Sequence, residues 1–247
     1  MKRHPDNFID CVQGSAEWFD ARLGRVTASR VRDALSMLKR GGSSEARERY
    51  KIDLLTEMLT GKPVEHYVSP AMDFGTEYEP VARSTYEMRT EVEVELIGFV
   101  VHPSIIRAGA SPDGLVGEDG LVEIKVPNGT THLRYMIDDV VPEEYAMQML
   151  WQMACTGRKW CDFVSYDPRI PDDFSLFVKR LWRDDEIIKM MEDGVRQFIT
   201  EINQMADLLL ERRGGGAAFK MWQQISEAVP EQGQACNVPR AIIPEMA

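Results

Sequence analysis

Apolar residues recur along this chain at two different spacings, which divide it into helical and extended regions. Up to about residue 90 they return every three or four positions, between polar capping residues and glycines. This pattern predicts three helices followed by a fourth over about residues 76–89. From residue 92 to 126 they alternate with polar residues or form short runs, which is typical of strands. The segments 107–112 and 121–126 are predicted to pair as a hairpin around residues 117–120.

The second half of the chain also mixes the two spacings. A helix is predicted from Pro142 to Gly157, followed by strands over residues 160–166 and 174–182. Because helices and strands are intermixed along the chain, we predict the α/β fold class, with a central mixed β-sheet flanked by helices.

A last long helix is predicted over residues 185–212, where apolar residues form a heptad seam. We expect this seam to pack on the sheet, with a subunit interface as the alternative. Three glycines at residues 214–216 then interrupt the pattern. The sequence therefore predicts one domain over residues 1–213 and a glycine-linked tail over residues 214–247, which could dock a partner or form a loosely attached helix.

Composition is ordinary, but the charge is distributed unevenly. The 247 residues are 44% hydrophobic and 28% charged, as in a soluble globular protein, and the formal net charge is −11. Residues 22–51 nevertheless carry nine basic and three acidic side chains, so this segment is at +6 and the remainder is at −17. A basic face on an acidic body could hold a polyanion, although a solvated helical surface would have the same composition.

Features that the sequence lacks narrow the choice of compartment. No apolar run reaches the roughly 20 residues that span a bilayer, and no apolar segment of a signal peptide follows Met1. A cytoplasmic location without a membrane partner is therefore expected. The four cysteines form no C-x-x-C pair, which argues against a zinc site and fits a reducing compartment.

The segment around Asp113 carries the strongest candidate chemistry. Nine residues separate Asp113 from Glu123, and Lys125 lies two residues further along the same predicted strand. Because side chains alternate across a strand, Glu123 and Lys125 are expected on one face. A Mg²⁺ ion held by the two carboxylates and the Ile124 carbonyl would account for this acidic pair, and it could acidify a water for phosphodiester hydrolysis. The alternative is an exposed ion pair on a hairpin.

Two further groups of polar residues could belong to the same site. Glu79 could be another metal ligand, or an ordinary glutamate in the first turn of its helix. Tyr145 and Gln148 share one helix face with Gln152, and Gln148 could orient a water or a phosphate. A solvated helix surface is the alternative for this second group.

A third group lies near the N-terminus. Arg22, Thr27 and Ser29 place a guanidinium and two hydroxyls beside a predicted helix start, where a phosphate could bind. Trp18 could stack on a base. The alternatives are a helix cap with a surface arginine, and a tryptophan that belongs to the core.

Taken in order, these motifs resemble the phage lambda-type alkaline exonuclease family, within the PD-(D/E)xK nuclease superfamily. The ordered motifs are W-x3-R-L-G-x2-T-A-S from Trp18, G-x2-Y-E from Gly75, S-P-D-G from Ser111 with E-x-K from Glu123, Y-x2-Q from Tyr145, and Y-D-P-R from Tyr166 to Arg169. Each motif is weak alone, but the ordered set is specific and spans most of the chain.

The resemblance implies a restriction-endonuclease-like core and an enzyme that uses two Mg²⁺ ions, with Mn²⁺ as an alternative. It implies that one strand of linear double-stranded DNA is degraded from a 5′-phosphorylated end, leaving 3′ single-stranded overhangs for phage homologous recombination. It also implies a ring-shaped homotrimer and a single-strand annealing protein as partner. A phage-encoded enzyme of this kind would act in the cytoplasm of the host cell.

By position, the resemblance also assigns roles to individual residues. The metal ligands would be Asp113, Glu123, the Ile124 carbonyl and Glu79. Lys125 would serve the attacking water, with Gln148 and Tyr145 nearby. The contacts to the 5′-phosphate and the adjoining DNA would come from Arg22, Ser29, Ser111, Gln148, Thr27 and Trp18. The outlying contacts would be Met72 as an apolar wedge at the end base pair, and Lys39 or Arg40 on the duplex backbone.

Two alternatives stay open at this point, an endonuclease of the same superfamily and a non-catalytic DNA-binding scaffold for recombination. Arg22 and Ser29 argue against the endonuclease, because recognition of an end requires a site for the terminal phosphate. The intact set of Asp113, Glu123 and Lys125 argues against the scaffold.

Overall fold

The computed structural model describes residues 5–38, 41–65, 67 and 69–213. The predictions for Lys39, for Arg40 and for the tail over residues 214–247 lie outside the described residues. Within the described ranges, no helix is both long enough and apolar enough to cross a membrane.

The helices follow the predicted order, with one addition. They are α1 (Ala16–Arg22), α2 (Val31–Leu35), α3 (Glu45–Thr60), α4 (Pro70–Thr90), α5 (Gly129–Asp138), α6 (Glu143–Thr156) and α7 (Asp185–Arg213). The addition is α5, which begins where the Asn128 side chain accepts a hydrogen bond of 3.0 Å from the backbone N–H of Thr131.

Local capping explains where most of these helices begin and end. Ser15 and Ser44 each accept a hydrogen bond from the backbone N–H three residues ahead, at the starts of α1 and α3. Gly61 and Gly157 follow α3 and α6 in the left-handed conformation, which glycine adopts without a steric cost. Thr27 makes no side-chain capping bond, and a short 3₁₀ turn separates it from α2.

The predicted start of α4 near residue 76 is wrong. The Ser69 hydroxyl accepts a hydrogen bond of 3.3 Å from the backbone N–H of Met72, and Pro70 occupies the first turn. Pro80 therefore lies inside α4 rather than near its start, on an exposed side of the helix.

The strands form two mixed sheets. They are β1 (Phe8–Ile9), β2 (Val26–Thr27), β3 (Val94–Glu95), β4 (Phe99–Val101), β5 (Ala108–Ala110), β6 (Gly114–Val116), β7 (Gly120–Lys125), β8 (Trp160–Tyr166) and β9 (Leu176–Trp182). One sheet has the order β1-β4-β5-β2 and the other β3-β6-β7-β8-β9. The predicted α/β class, with mixed β-structure flanked by helices, is confirmed, although the strands are divided between two sheets.

The predicted hairpin is wrong in its first strand. β7 pairs antiparallel with β6, whereas β5 belongs to the other sheet. Gly114 faces Val122, so Pro112 would face Ile124 if the register continued. Proline has no N–H to donate to a ladder, and the pairing of β6 with β7 ends before it. The chain therefore changes sheet at Asp113.

Helices cover both faces of the five-stranded sheet. On one face, Ala82 and Tyr86 of α4 pack against Val122, Ile124 and Val164. On the other face, α6 packs against side chains of opposite strand parity, among them Leu121 and Phe163. The alternation of side chains along β7 thus points Glu123 and Lys125 toward α6.

The seam of α7 is buried as far as Ile202, whereas Met205 is half-buried and Leu209 is exposed. The expectation that the seam packs on the sheet is wrong. Its buried residues are Ile188, Met191, Val195, Phe198 and Ile202. They belong to the larger core, where α7 lies mainly against α2, α3 and α6. Gly194 permits a close approach to α2, because a Cβ atom there would lie 2.5 Å from Leu35 Cδ2.

Candidate active site

Asp113 lies where the ladder between β6 and β7 ends. Its Oδ2 accepts a hydrogen bond of 2.6 Å from the backbone N–H of Ile124. The carbonyl oxygen of Pro112, the residue that would otherwise face Ile124, accepts a bond of 2.8 Å from Gln13 Nε2. The Asp113 carboxylate therefore satisfies a backbone donor of β7 that the neighbouring strand leaves free, and this bond fixes its position.

Glu123 is fully buried, and three donors surround its carboxylate. From α6, Gln148 Nε2 donates to Oε1 at 2.6 Å and Gln152 Nε2 donates to Oε2 at 2.5 Å. Lys125, on the same face of β7, forms an ion pair with Oε1. The donors orient this carboxylate, and Oε2 keeps one lone pair that could ligate a cation.

The electrostatics of the site are dominated by two close carboxylates. Burial raises the pKa of Asp113 well above its ordinary value, and the charges of Glu123 and Glu79 add to this effect. Burial by itself would lower the pKa of Lys125, but the carboxylates of Glu123 and Asp113 outweigh burial and raise that pKa. Lys125 is therefore a cation at neutral pH and not a neutral base.

The donor set fits a hard divalent cation. Asp113, Glu123 and the Ile124 carbonyl offer oxygen ligands, and a cation between the carboxylates would relieve the repulsion that adds to burial in raising the Asp113 pKa. Among the residues that the structure describes, no group of three or more His, Cys, Asp or Glu side chains is gathered to hold a metal. Glu79 instead accepts a hydrogen bond of 3.3 Å from Arg83 Nη1, one turn along α4. Its role as a ligand stays a prediction.

Two aromatic rings and one amide complete the site. Tyr145 stacks on Phe163 of β8 with ring centroids 5.3 Å apart, and Lys125 Nζ lies 5.3 Å from the centre of the Tyr145 ring. Gln152 is the residue to which the sequence assigned no role. Its signal was present, because it lies four residues after Gln148 on one helix face, but helical spacing cannot show that this face covers Glu123.

The N-terminal polar group meets Asp113 through Ser111. The Ser111 hydroxyl accepts hydrogen bonds from Trp18 Nε1 at 2.8 Å and from Arg22 Nη1 at 3.4 Å. The Arg22 guanidinium lies 4.1 Å from the centre of the Trp18 ring. The Arg22 guanidinium and the Ser111 hydroxyl together form a suitable pocket for a phosphate group. Ser111 lies two residues before Asp113, the candidate metal ligand.

The remaining predicted site residues make no hydrogen bond to Ser111 or Arg22 among the described residues, apart from Trp18. Ser29 is exposed, and its hydroxyl lies 3.4 Å from that of the buried Thr27. Trp18 is covered on one face by Arg22, so a base could stack only on its other face. Met72 is exposed in the first turn of α4, as an apolar wedge has to be.

Comparisons with known proteins place these observations in a family. Residues 17–159 match the model of the YqaJ-like viral recombinase domain. Two solved structures are similar to this chain, an alkaline exonuclease (LHK-Exo) from Laribacter hongkongensis and the same protein in complex with dAMP. The first is 45% identical with a TM-score of 0.74, and the second is 44% identical with a TM-score of 0.75. Each match covers 80% of this chain and 97% of the solved one.

A more distant structure shares the fold. It is a phage-related exonuclease from Haemophilus somnus 129PT, with 13% identity and a TM-score of 0.58 over 75% of this chain and 96% of its own. None of the curated proteins matches the sequence.

Proposed function

Because the chain belongs to the YqaJ-like viral recombinase family, a family of nucleases, we propose that it is a Mg²⁺-dependent 5′→3′ exonuclease of linear double-stranded DNA. The observation that carries the proposal is the arrangement of Asp113, Glu123 and Lys125, with a pocket for a terminal phosphate at Ser111. A nuclease that acts on ends needs both parts, and a single residue, Pro112, joins Ser111 to Asp113. The products would be duplexes with 3′ single-stranded overhangs.

In this proposal, Asp113, Glu123 and the Ile124 carbonyl hold two Mg²⁺ ions, or Mn²⁺ in their place, with Glu79 beside them. When bound, such cations polarise a phosphodiester and lower the pKa of a water molecule. The protein side chains would orient the metal ligands and stabilise the developing charge. Gln148 and Gln152 keep the Glu123 carboxylate in one orientation, and the ammonium of Lys125 offsets negative charge that develops on the phosphoryl oxygens.

The pocket of Arg22, Ser29 and Ser111 would bind the 5′-phosphate, so that the first phosphodiester bond lies at the acidic pair. Arginine and hydroxyl donors suit a phosphate, since they provide charge-assisted hydrogen bonds. Met72 would separate the end base pair. A phosphorylated end is therefore the preferred substrate.

The uneven charge supports the larger assembly that we propose. A segment at +6 within a chain at −11 suits a homotrimeric ring that attracts DNA to its bore and repels it outside. The product strand would then pass to a single-strand annealing protein during phage recombination.

Digestion of a linear duplex with a single 5′-phosphate tests this proposal. With each strand labelled separately, we expect only the phosphorylated strand to shorten, and only when Mg²⁺ or Mn²⁺ is present. Covalently closed circular DNA should stay intact, and its cleavage would instead indicate an endonuclease.

The acidic pair is tested by Asp113→Ala, with Asp119→Ala at the turn of the same hairpin as the matched control. We expect the first variant to bind duplex DNA but to cleave it at least about a hundredfold more slowly, because a metal ligand is lost. The control should cleave normally, since Asp119 pairs with Lys159 on the surface. Normal digestion by Asp113→Ala would refute the metal site.

A further inference from the structure

The Y-D-P-R motif has no role in the function proposed above, yet it builds a rigid cationic group. Asp167 is fully buried at the end of β8. It accepts hydrogen bonds of 2.8 Å from both Nε and Nη2 of Arg169, and a further bond of 3.0 Å from the Arg169 backbone. A bidentate pair with a buried carboxylate holds the guanidinium in one orientation.

Aromatic residues of α4 pack against this guanidinium. The Arg169 guanidinium lies 4.8 Å from the centre of the Phe74 ring, and Phe74 and Tyr78 are in contact with ring centroids 4.5 Å apart. We call Asp167, Arg169, Phe74 and Tyr78 the arginine platform. Stacking on an aromatic ring restricts the guanidinium further.

The arginine platform lies beside the proposed active site. Arg169 Nη2 donates a hydrogen bond of 3.4 Å to the carbonyl oxygen of Pro127, which is two residues beyond Lys125. On α4, Phe74 precedes Glu79 by five residues, or about 7.5 Å along the helix axis. The platform is thus close in the chain to Lys125 through β7 and to Glu79 through α4.

Part of this guanidinium is available to a ligand. The Arg169 side chain is 55% exposed although its partner Asp167 is only 1% exposed. Its Nη1 donates no hydrogen bond to any residue that the structure describes. A clamp that only joined α4 to the sheet would not need an exposed, fixed donor at this place.

Arg180 is held in the same way as Arg169, but its surroundings carry a different charge. Arg180 donates to Asp162 at 2.7 and 2.9 Å and lies 3.5 Å from the centre of the Trp160 ring. It lines a groove whose acidic members are Glu93, Glu95, Glu118 and Asp119. Those carboxylates disfavour a phosphate, whereas Arg169 lies at the end of the sheet that carries Lys125.

Resting on the proposed function, we propose that Arg169 binds a backbone phosphate of the DNA next to the scissile end. The fixed guanidinium offers its Nη1 to the phosphate oxygens. Such a contact positions the DNA without reading its sequence.

The test measures binding of a 5′-phosphorylated linear duplex by the full chain in EDTA, as a function of salt. Loss of one phosphate contact reduces the slope of log K against log salt by about 0.9, which is roughly an eightfold weaker affinity at 0.1 M salt. We expect this change for Arg169→Gln, equally on duplexes of different sequence. Arg180→Gln, the matched control, should keep the wild-type slope.

A second measurement needs no variant. Modification of arginines by phenylglyoxal, followed by mass spectrometry, should be slowed by saturating duplex at Arg169 and not at Arg180. An unchanged rate at Arg169 would overturn the inference, as would an Arg169→Gln variant that melts at a lower temperature but keeps the wild-type slope. If wild-type protein neither binds nor cuts the duplex, the proposed function fails together with this inference. If the wild type does both and Arg169→Gln behaves like it, only this inference fails.

Discussion

Replacing Gln152 by leucine removes one of the three donors to Glu123 and tests whether hydrogen bonds hold this carboxylate in place. Gln152 is fully buried and donates to Oε2 at 2.5 Å. The other two donors, Gln148 and Lys125, both reach Oε1. In Gln152→Leu, Oε2 would be a buried carboxylate oxygen without a donor among the described residues.

The expected loss follows from this arrangement. A hydrogen bond to a charged group contributes about 1.5–3 kcal/mol to the free energy of unfolding. In a domain of this size, each kcal/mol shifts the melting temperature by about 2–4 °C, so we expect Gln152→Leu to melt roughly 3–12 °C below wild type. Gln148→Leu is the matched control. In Gln148→Leu, Oε1 of Glu123 keeps its ion pair with Lys125. We therefore expect the free energy of unfolding to fall by only about 1 kcal/mol.

Denaturant unfolding in EDTA, followed by circular dichroism, would give both free energies of unfolding without interference from bound metal. The two leucine variants would be measured again with Glu123→Gln. A neutral amide at residue 123 accepts a weaker hydrogen bond than a carboxylate, so the cost of Gln152→Leu should fall to about 1 kcal/mol. Equal costs for both leucine variants, or a cost that Glu123→Gln leaves unchanged, would mean that packing alone orients Glu123.

Two further predictions concern the phosphate pocket and the pH dependence of stability. Arg22→Ala should slow digestion of 5′-phosphorylated ends much more than of 5′-hydroxyl ends, by a factor of about 10 to 100 for a lost charge-assisted contact, and equal losses on both would leave Arg22 a structural role only. Burial, with Arg196 and Arg183 nearby, lowers the pKa of His102 from 6.5 to about 4, although Glu192 Oε1 lies 3.2 Å from its Nε2. Between these two pH values the unfolded chain holds a proton on His102 that the folded protein does not, so His102 contributes a rise with pH in the free energy of unfolding of about 1.4 kcal/mol per unit. The raised pKa of Asp113 contributes a slope of the opposite sign. Thermal melting across this range should show a slope that is smaller in His102→Phe than in wild type by the His102 contribution, and equal slopes would contradict this assignment.

Features encoded by neighbouring residues could be predicted from the sequence. The ends of α3 and α6 were predicted because a glycine cap acts within one turn of its helix. β8 was predicted at its observed bounds from a run of apolar and aromatic residues. The ordered motifs also identified the family, which the match over residues 17–159 and the 45% identical exonuclease confirm. The nuclease class of the enzyme is confirmed with it.

Features that join distant parts of the chain could not be predicted in the same way. Periodicity indicated that residues 107–112 form a strand, but Pro112 ends the ladder and sends that segment to a second sheet. The heptad seam of α7 predicted the buried residues as far as Ile202, but not that other helices cover them. The start of α4 was missed because a single serine and proline before residue 76 outweigh a weak apolar pattern.

The sequence alone predicted the candidate chemistry of this protein, because Asp113 lies near Glu123 and Lys125 in the chain and the alternation of a strand puts the last two on one face. Only the tertiary structure decided how that cluster is held. It placed Gln152 on Glu123, put Asp113 on the free N–H of Ile124, and paired Glu79 with Arg83. The contacts of Gln152 and Asp113 depend on the packing of α6 and β6 against β7. Many side chains share the free energy of such packing, so no single sequence motif predicts it.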